Sequence, residues 1–263
     1  MMDSLKARTA SLGKPEWRPL LRYVADLHAH SVQPQRVPFP YPWEEIGPGY
    51  CYGPAFGHWD IVHALFDIIP FEQHHAHQQI LNNLAAQQPD GFLPGVIWMR
   101  DAQPRWSPSQ GHPPVWPFAV QAYTEAYGSA IIEHCYPPLV QQIRWFEHNR
   151  KANGAGFFYA DILNHRWESG VDEGIRFLQA PTGPLACIDA TSHLCALYDF
   201  AARWADVLGQ DGSAFAAKAA DLKHFIQNDL FSEETGFFHD SWAITDPTVR
   251  RMAFEGMWPL VVG

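Results

Sequence analysis

Residues 188–209 read IDATSHLCALYDFAARWADVLG. Apolar side chains return at helical spacing along this stretch, and Gly209 stands where a helix would stop, so a long amphipathic helix is predicted. Just beyond it, SAFAAKAADLKHFIQNDLF (213–231) predicts a second helix with Ser213 as its N-cap. Two long helices joined by a short polar turn lie side by side and antiparallel.

The same pattern continues upstream. YPPLVQQIRWFEHNRKANG (136–154) predicts a helix with prolines near its start and Gly154 after its end. Pro114 to Tyr127 predicts a helix that begins on prolines. A further stretch, 71–88, carries Ile80, Leu81 and Leu84 and ends at the turn cluster PDGFLPG. From Asp60, the residues Ile61, Leu65, Ile68 and Ile69 share one helical face. Arg250 to Val262 begins a last helix. Residues 1–48 read as an N-terminal extension, irregular after a short helical start, and VQPQRVPFPYPWEEIGPGY (32–50) is a proline-rich loop with polyproline II character. No clear period-2 strand occurs. Helices alternating with short and long connections, the long ones rich in Trp, Gly, Pro and Asp, suit a helical toroid whose long loops gather into a cleft. A plain four-helix bundle would have short polar loops, and an α-solenoid would repeat at a fixed period, which this chain does not.

The bulk composition narrows the chemistry. The 263 residues are 47% hydrophobic and carry a net charge of −10, which argues against a nucleic-acid partner. The opening MMDSLKARTASLGKPEW has no apolar core of a secretory signal, and no segment reaches the length of a membrane span, so a cytoplasmic protein with no membrane partner is expected. The four cysteines, at 51, 135, 187 and 195, have neither metal-site nor disulfide-framework spacing and read as reduced core thiols. Aromatic residues make up 14% of the chain. They suit a rigid core, and equally a cleft whose aromatic faces stack on sugar rings.

Several constellations could carry chemistry. In YCYGPAFGHWDIVHALFD (50–67), Trp59 and Asp60 sit where a glycine-bearing loop enters a helix. Asp60 is either an N-cap or an acceptor for sugar hydroxyls, with Trp59 as a wall. DGFLPGVIWMRD (90–101) and SQGHPPVWPF (109–118) place Trp98, Arg100, His112 and Trp116 on loops, as surface cover or as site walls. RWESGVDEGIR (166–176) holds Glu168, Asp172 and Glu173 within six residues. Apolar neighbours and adjacent carboxylates raise a carboxyl pKa, as a general acid requires. The plainer reading pairs Glu168 and Asp172 with Arg166 and Arg176. EQHHAHQQ (72–79) puts His74 and His77 on one helix face without the spacing of a metal pair, so no metal is expected. Ser169 has neither a base beside it nor a nucleophile elbow.

Taken in order, FGHWDIVHAL, DGFLPGVIW, HPPVWPFAV, WESGVDEGIRF, IDATSHLCAL and DLFSEETGFFHD resemble successive blocks of the mannosylglycerate hydrolase-like glycosidases. These are similar to the processing α-glucosidases of glycoside hydrolase family 63 and, more distantly, to trehalases. The resemblance covers about residues 45–263. It implies an all-α fold, the (α/α)6 toroid of six-hairpin glycosidases, in a catalytic domain over 49–263. It implies inverting hydrolysis of a small α-linked glucoside, mannoside or oligosaccharide, a carbohydrate substrate and no cofactor. Asp172 matches the general acid. Trp59 and Asp60 match the pair that contacts the sugar, and Glu168 matches the Glu of the same block as the acid. Asp189 matches an Asp at the start of the next inner helix, and both Glu168 and Asp189 are expected to bind substrate. His112 falls where relatives carry Gln, and Trp98 and Trp167 are expected to line the cleft. Relatives often read Asn-Ser-Pro after the acid, where this chain reads Glu-Gly-Ile.

Inversion needs a second carboxylate, roughly 6.5–9.5 Å from the acid, to activate water. The resemblance puts this Glu downstream of residue 263. FEGMWPLVVG (254–263) matches the middle of the family's domain, and the expectation is a toroid incomplete at its C-terminus. Without that base, the alternative is a non-catalytic carbohydrate-binding or scaffold protein.

Overall fold

The computed structural model describes residues 2–47, 49, 53–164 and 167–263. Its backbone divides into two compact units: Met1–Gln87, Leu93–Gly111 and Val115–Cys135 form one, and Gln88–Phe92, His112–Pro114 and Tyr136–Gly263 form the other.

The first unit opens with α1 (Asp3–Thr9) and α2 (Arg18–Ser31). Strands β1 (Val32–Gln33) and β2 (Trp43–Glu44) then pair antiparallel, Val32 opposite Glu44. Next come β3 (Ala55–Gly57), α3 (His58–Ile68), α4 (Gln73–Leu84), β4 (Val96–Trp98) and α5 (Trp116–Tyr127). Helices α3, α4 and α5 pack on one another. Their core is Ile61, Val62, Leu65 and Ile68 from α3, with Ala76, Ile80, Ala119 and Val120. The expected apolar face of α3 is thus its buried face. Trp116 lies within the helix expected from Pro114 to Tyr127 and not on a loop: it is the first residue of α5 and only 2% exposed.

Helix α2 corrects the reading of residues 1–48 as irregular after a short start. Its apolar Leu20 and Tyr23 face outward, while Ala25, His28 and Ser31 are buried. Leu21, Val24 and Ala25 still fall with His28 on one helical face, so the stretch carries an amphipathic period that the proline-rich residues after it obscure. His28 Nδ1 meets Glu44 Oε2 at 3.0 Å, and Glu44 Oε1 lies 2.6 Å from His75 Nε2 on α4. One buried carboxylate therefore joins α2, β2 and α4. His75, not the more visible His74 or His77, is the histidine of its cluster that is buried.

This junction makes the first unit sensitive to pH. Burial alone would pull the His28 pKa down, but hydrogen bonds to Asp67 and Glu44, with their charges, lift it to about 9. Unfolded, the ring would titrate near 6.5. Protonation therefore stabilises the fold fully below about pH 6.5, and that contribution is lost as pH rises through about 9. Discounting for the exposed Asp67, the contribution is about 2 kcal/mol. Urea denaturation at pH 6 should show His28→Gln less stable than the parent by this amount, and at pH 9.5 the two should nearly coincide.

The second unit contains α6 (Ile132–Asn149) from Tyr136 onward, then α7 (Asp161–Asn164), α8 (Ile188–Val207) and α9 (Ser213–Asp229). Helix α6 starts earlier than expected and runs through Pro137 and Pro138. Helix α8 is buried nearly all round, including Leu194, Leu197, Phe200 and Trp204, and packs along α9 through Leu222 and Ile226. The cap of α9 is not Ser213, which is the first helical residue; Gly212 precedes it, and Asp211 Oδ1 accepts from the Ser213 amide at 2.9 Å. A side chain at 212 would sit 2.6 Å from the Ala202 carbonyl oxygen, so the close approach of this hairpin requires glycine there.

Strands β5 (Phe231–Ser232) and β6 (Phe237–Phe238) form a small hairpin before α10 (Ser241–Thr245). The expected last helix is instead a 3-10 turn at Phe254–Met257 followed by α11 (Pro259–Val262). Among the described residues, every strand is two or three residues long, and no helix is long and apolar enough to cross a membrane. Cys135, Cys187 and Cys195 are buried and free; Cys51 lies outside the described residues.

Candidate active site

Asp172 stands at the tip of a loop whose base is buried. Trp167, Asp172 and Glu173 are exposed, whereas Glu168 and Ser169 before the tip, and Arg176 and Phe177 after it, are buried. The backbone turns through left-handed conformations at Gly170, with φ 73°, and at Glu173, with φ 52°. The second is uncommon for a residue with a side chain and marks a held tip, not a slack one.

The incoming arm is fixed at two points. Glu168 accepts from Arg150 Nε at 2.8 Å and from Nη2 at 2.9 Å, a bidentate pair, and from the Ala160 amide at 2.6 Å. The Arg150 guanidinium also lies over the Trp145 ring, 4.7 Å from its centre. Ser169 donates its hydroxyl to Asp161 Oδ1 at 2.7 Å and its amide to Oδ2 at 3.0 Å. Burial, and the nearby charges of Asp189 and Glu168, raise Asp161 to about 7 against the opposing Ser169 hydrogen bonds.

The outgoing arm ends on Arg176, which is 4% exposed. Its Nη1 donates to Asp240 Oδ1 at 2.7 Å, and its Nη2 donates to Asp189 Oδ2. Its Nε lies 3.0 Å from Glu255 Oε1, a close charge contact without hydrogen-bond alignment. Asp240 Oδ1 also accepts from the Ile188 amide, at the start of α8. Cys187, Asp189 and Asp240 bring ligand atoms within 4.8 Å of one another, a spacing that could hold a cation. Here Arg176 supplies the positive charge to both carboxylates. Burial pushes Asp240 up to about 6 despite that charge.

The expected pairing of Glu168 or Asp172 with Arg176 is therefore not what is observed. Glu168 pairs with Arg150, and Arg176 pairs with carboxylates far along the chain; Arg166 lies outside the described residues. Glu168 points its oxygens inward, and Asp189 is 1% exposed and engaged by Arg176. Arg150, Asp161, Asp240 and Glu255 were not apparent as loop anchors from sequence. The available signal was a charge set in an apolar or aromatic run, as in Asp240 within FFHDSW, because such a charge must find a partner.

In the first unit, β3 runs straight into α3 and pairs antiparallel with β4. Gly57 pairs with Val96, and the His58 amide donates to the Gly95 carbonyl at 2.7 Å. Trp59 and Asp60 follow in the first turn of α3, both half-buried, and Trp59 meets the His63 ring edge-on. Asp60 is not the N-cap; Gly57 is. A Cβ at 57 would fall 1.9 Å from Asp60 Oδ2, so glycine there lets this carboxylate fold against the backbone. Trp98 lies opposite Ala55, at the other end of the ladder from Trp59 and Asp60, and is 37% exposed. Arg100 donates to the Gly53 carbonyl. His112 belongs to the second unit and is half-buried.

Residues 54–263 match the mannosylglycerate hydrolase MGH1-like glycoside hydrolase domain. No curated protein matches the chain. Among solved structures, the GH63 mannosylglycerate hydrolase of Thermus thermophilus in complex with glucose superposes with a TM-score of 0.68 at 16% identity, covering 92% of this chain and 71% of that one. The same enzyme with Tris and D-glycerate gives 0.67 at 16% identity, over 91% and 72%. An uncharacterized conserved protein of the same organism gives 0.67 at 17% identity, over 92% and 70%. The likeness establishes the all-α toroid glycosidase fold. The match over 54–263 shows that this chain belongs to the MGH1-like glycoside hydrolase family and is a glycosidase.

Proposed function

We propose that the protein hydrolyses a small α-linked glucoside, mannoside or oligosaccharide with inversion, and that Asp172 is the general acid. The observation that carries this reading is the loop itself: a tip exposing Asp172 and its neighbour Glu173, with both arms fixed by buried ion pairs, and Asp172 the one that matches the family's acid. Proton transfer to a leaving oxygen needs a carboxyl held in place yet open to the substrate. Trp59, Asp60 and Trp98 in the first unit, and His112 and Trp167 in the second, are the residues that bind substrate. Glu168 and Asp189 support the site from within. The catalytic domain spans 49–263. Two solved structures of one relative, the Thermus thermophilus mannosylglycerate hydrolase, hold glucose in one case and Tris with D-glycerate in the other, which favours a glycosylglycerate. Inversion also requires a base carboxylate on the opposite sugar face. Glu255, buried against Arg176, does not fit that role.

The test is product stereochemistry. The protein is incubated with α-glucosyl- and α-mannosylglycerate, trehalose and short α-glucosides, and the first-formed sugar is read by proton NMR. The β-anomer is expected first. An α-anomer, or no turnover across the set, overturns the proposal.

A further inference from the structure

We infer that Arg176 is the positioning residue of the acid loop, acting through Asp172 and not on the substrate. The inference deepens the proposed function and rests on it for the identity of the acid. Arg176 follows the loop tip by one turn of chain and is buried. Its three nitrogens face three carboxylates carried by three separate segments: Asp189 in the first turn of α8, Asp240 at the N-cap of α10, and Glu255 in the 3-10 turn before α11. Phe177 closes one face of the guanidinium, 4.4 Å from its centre. Phe177 in turn packs on Trp242 of α10.

A lysine can supply the charge but not the planar fork that spans several acceptors at once. Three acids around one cation exceed what an ordinary buried pair needs. The arrangement makes sense as a clamp, because it fixes the outgoing arm in position and direction, not merely in depth. The incoming arm is clamped separately through Glu168 and Ser169. Between the clamps only Gly170 to Ile175 remain, so the place of the Asp172 carboxylate is set by both ends. The structure thus divides the labour: Arg176 holds, and Asp172 reacts.

The test compares the parent with Arg176→Lys and Glu255→Gln by hydrogen exchange and by turnover. Exchange in peptides covering 168–178 should accelerate at least tenfold in Arg176→Lys, with α9 unchanged, and less in Glu255→Gln. On the glycoside the parent turns over, kcat should fall at least tenfold with KM held within about twofold. Equal acceleration in the loop and α9 overturns the inference, since Arg176 would then serve general stability; so does an unchanged loop. If Arg176→Lys does not fold, Glu255→Gln is judged by the same comparisons. If the parent turns over no glycoside, the proposed function fails, while the exchange result still decides whether Arg176 clamps the loop.

Discussion

Asp172→Asn is expected to lower hydrolysis of α-glycosides with alcohol leaving groups by about 10²–10⁴-fold, the range that general acid catalysis supplies. The reason is specific to the leaving group. An alcohol departs poorly unless protonated as the bond breaks, and asparagine has no acidic proton to give. Fluoride needs no such help, so the matching α-glycosyl fluoride should keep its rate within about tenfold. Asp172 and Asn are nearly isosteric, and the residue sits exposed at a tip, so folding stability should stay within about 0.5 kcal/mol. Paired rate measurements on the two substrate types therefore separate acid catalysis from damage. An equal loss on both types would remove Asp172 from the role of proton donor and leave it a binding or structural residue.

The helices were legible where they bury an apolar stripe. Helices α3, α5, α8 and α9 lie close to where their periodicity puts them, because tertiary burial and local pattern agree. Helix α2 was harder to read: Leu21, Val24, Ala25 and His28 share one helical face, but His28 and Ser31 are buried while Leu20 and Tyr23 are exposed. The site divides along the same line. The position of Asp172 in a charged, glycine-bearing loop could be seen in RWESGVDEGIR, and so could the need to satisfy its charges. What the loop charges pair with could not be seen. Glu168 finds Arg150, 18 residues upstream, and Arg176 finds Asp240, 64 residues downstream. Pairing within the loop is the simplest expectation because sequence shows only near neighbours. A folded chain satisfies buried charges wherever its elements meet.

That distinction has an energetic consequence. An exposed ion pair contributes about 0–1 kcal/mol, so the plainer reading of the loop predicted little from removing either partner. The pair observed is different in kind. Glu168 is 0% exposed, and Arg150 is its bidentate partner. Removing one partner of a buried pair leaves a charge without water or counter-ion and costs about 3–5 kcal/mol. Arg150→Met keeps the apolar stem against Trp145 while deleting the guanidinium, so its loss should fall in that range. The double variant Arg150→Met, Glu168→Leu should be more stable than Arg150→Met alone, because no buried charge then remains. It should still fall short of the parent, since the Ala160 amide loses its acceptor, at about 1–3 kcal/mol. Urea unfolding of the parent, both single variants and the double completes the cycle. If Arg150→Met costs less than about 1 kcal/mol, the pair behaves as a surface one. The incoming arm would then be held by Ser169 and Asp161, and the two-ended clamp on Asp172 would reduce to Arg176 and that single hydrogen-bonded turn.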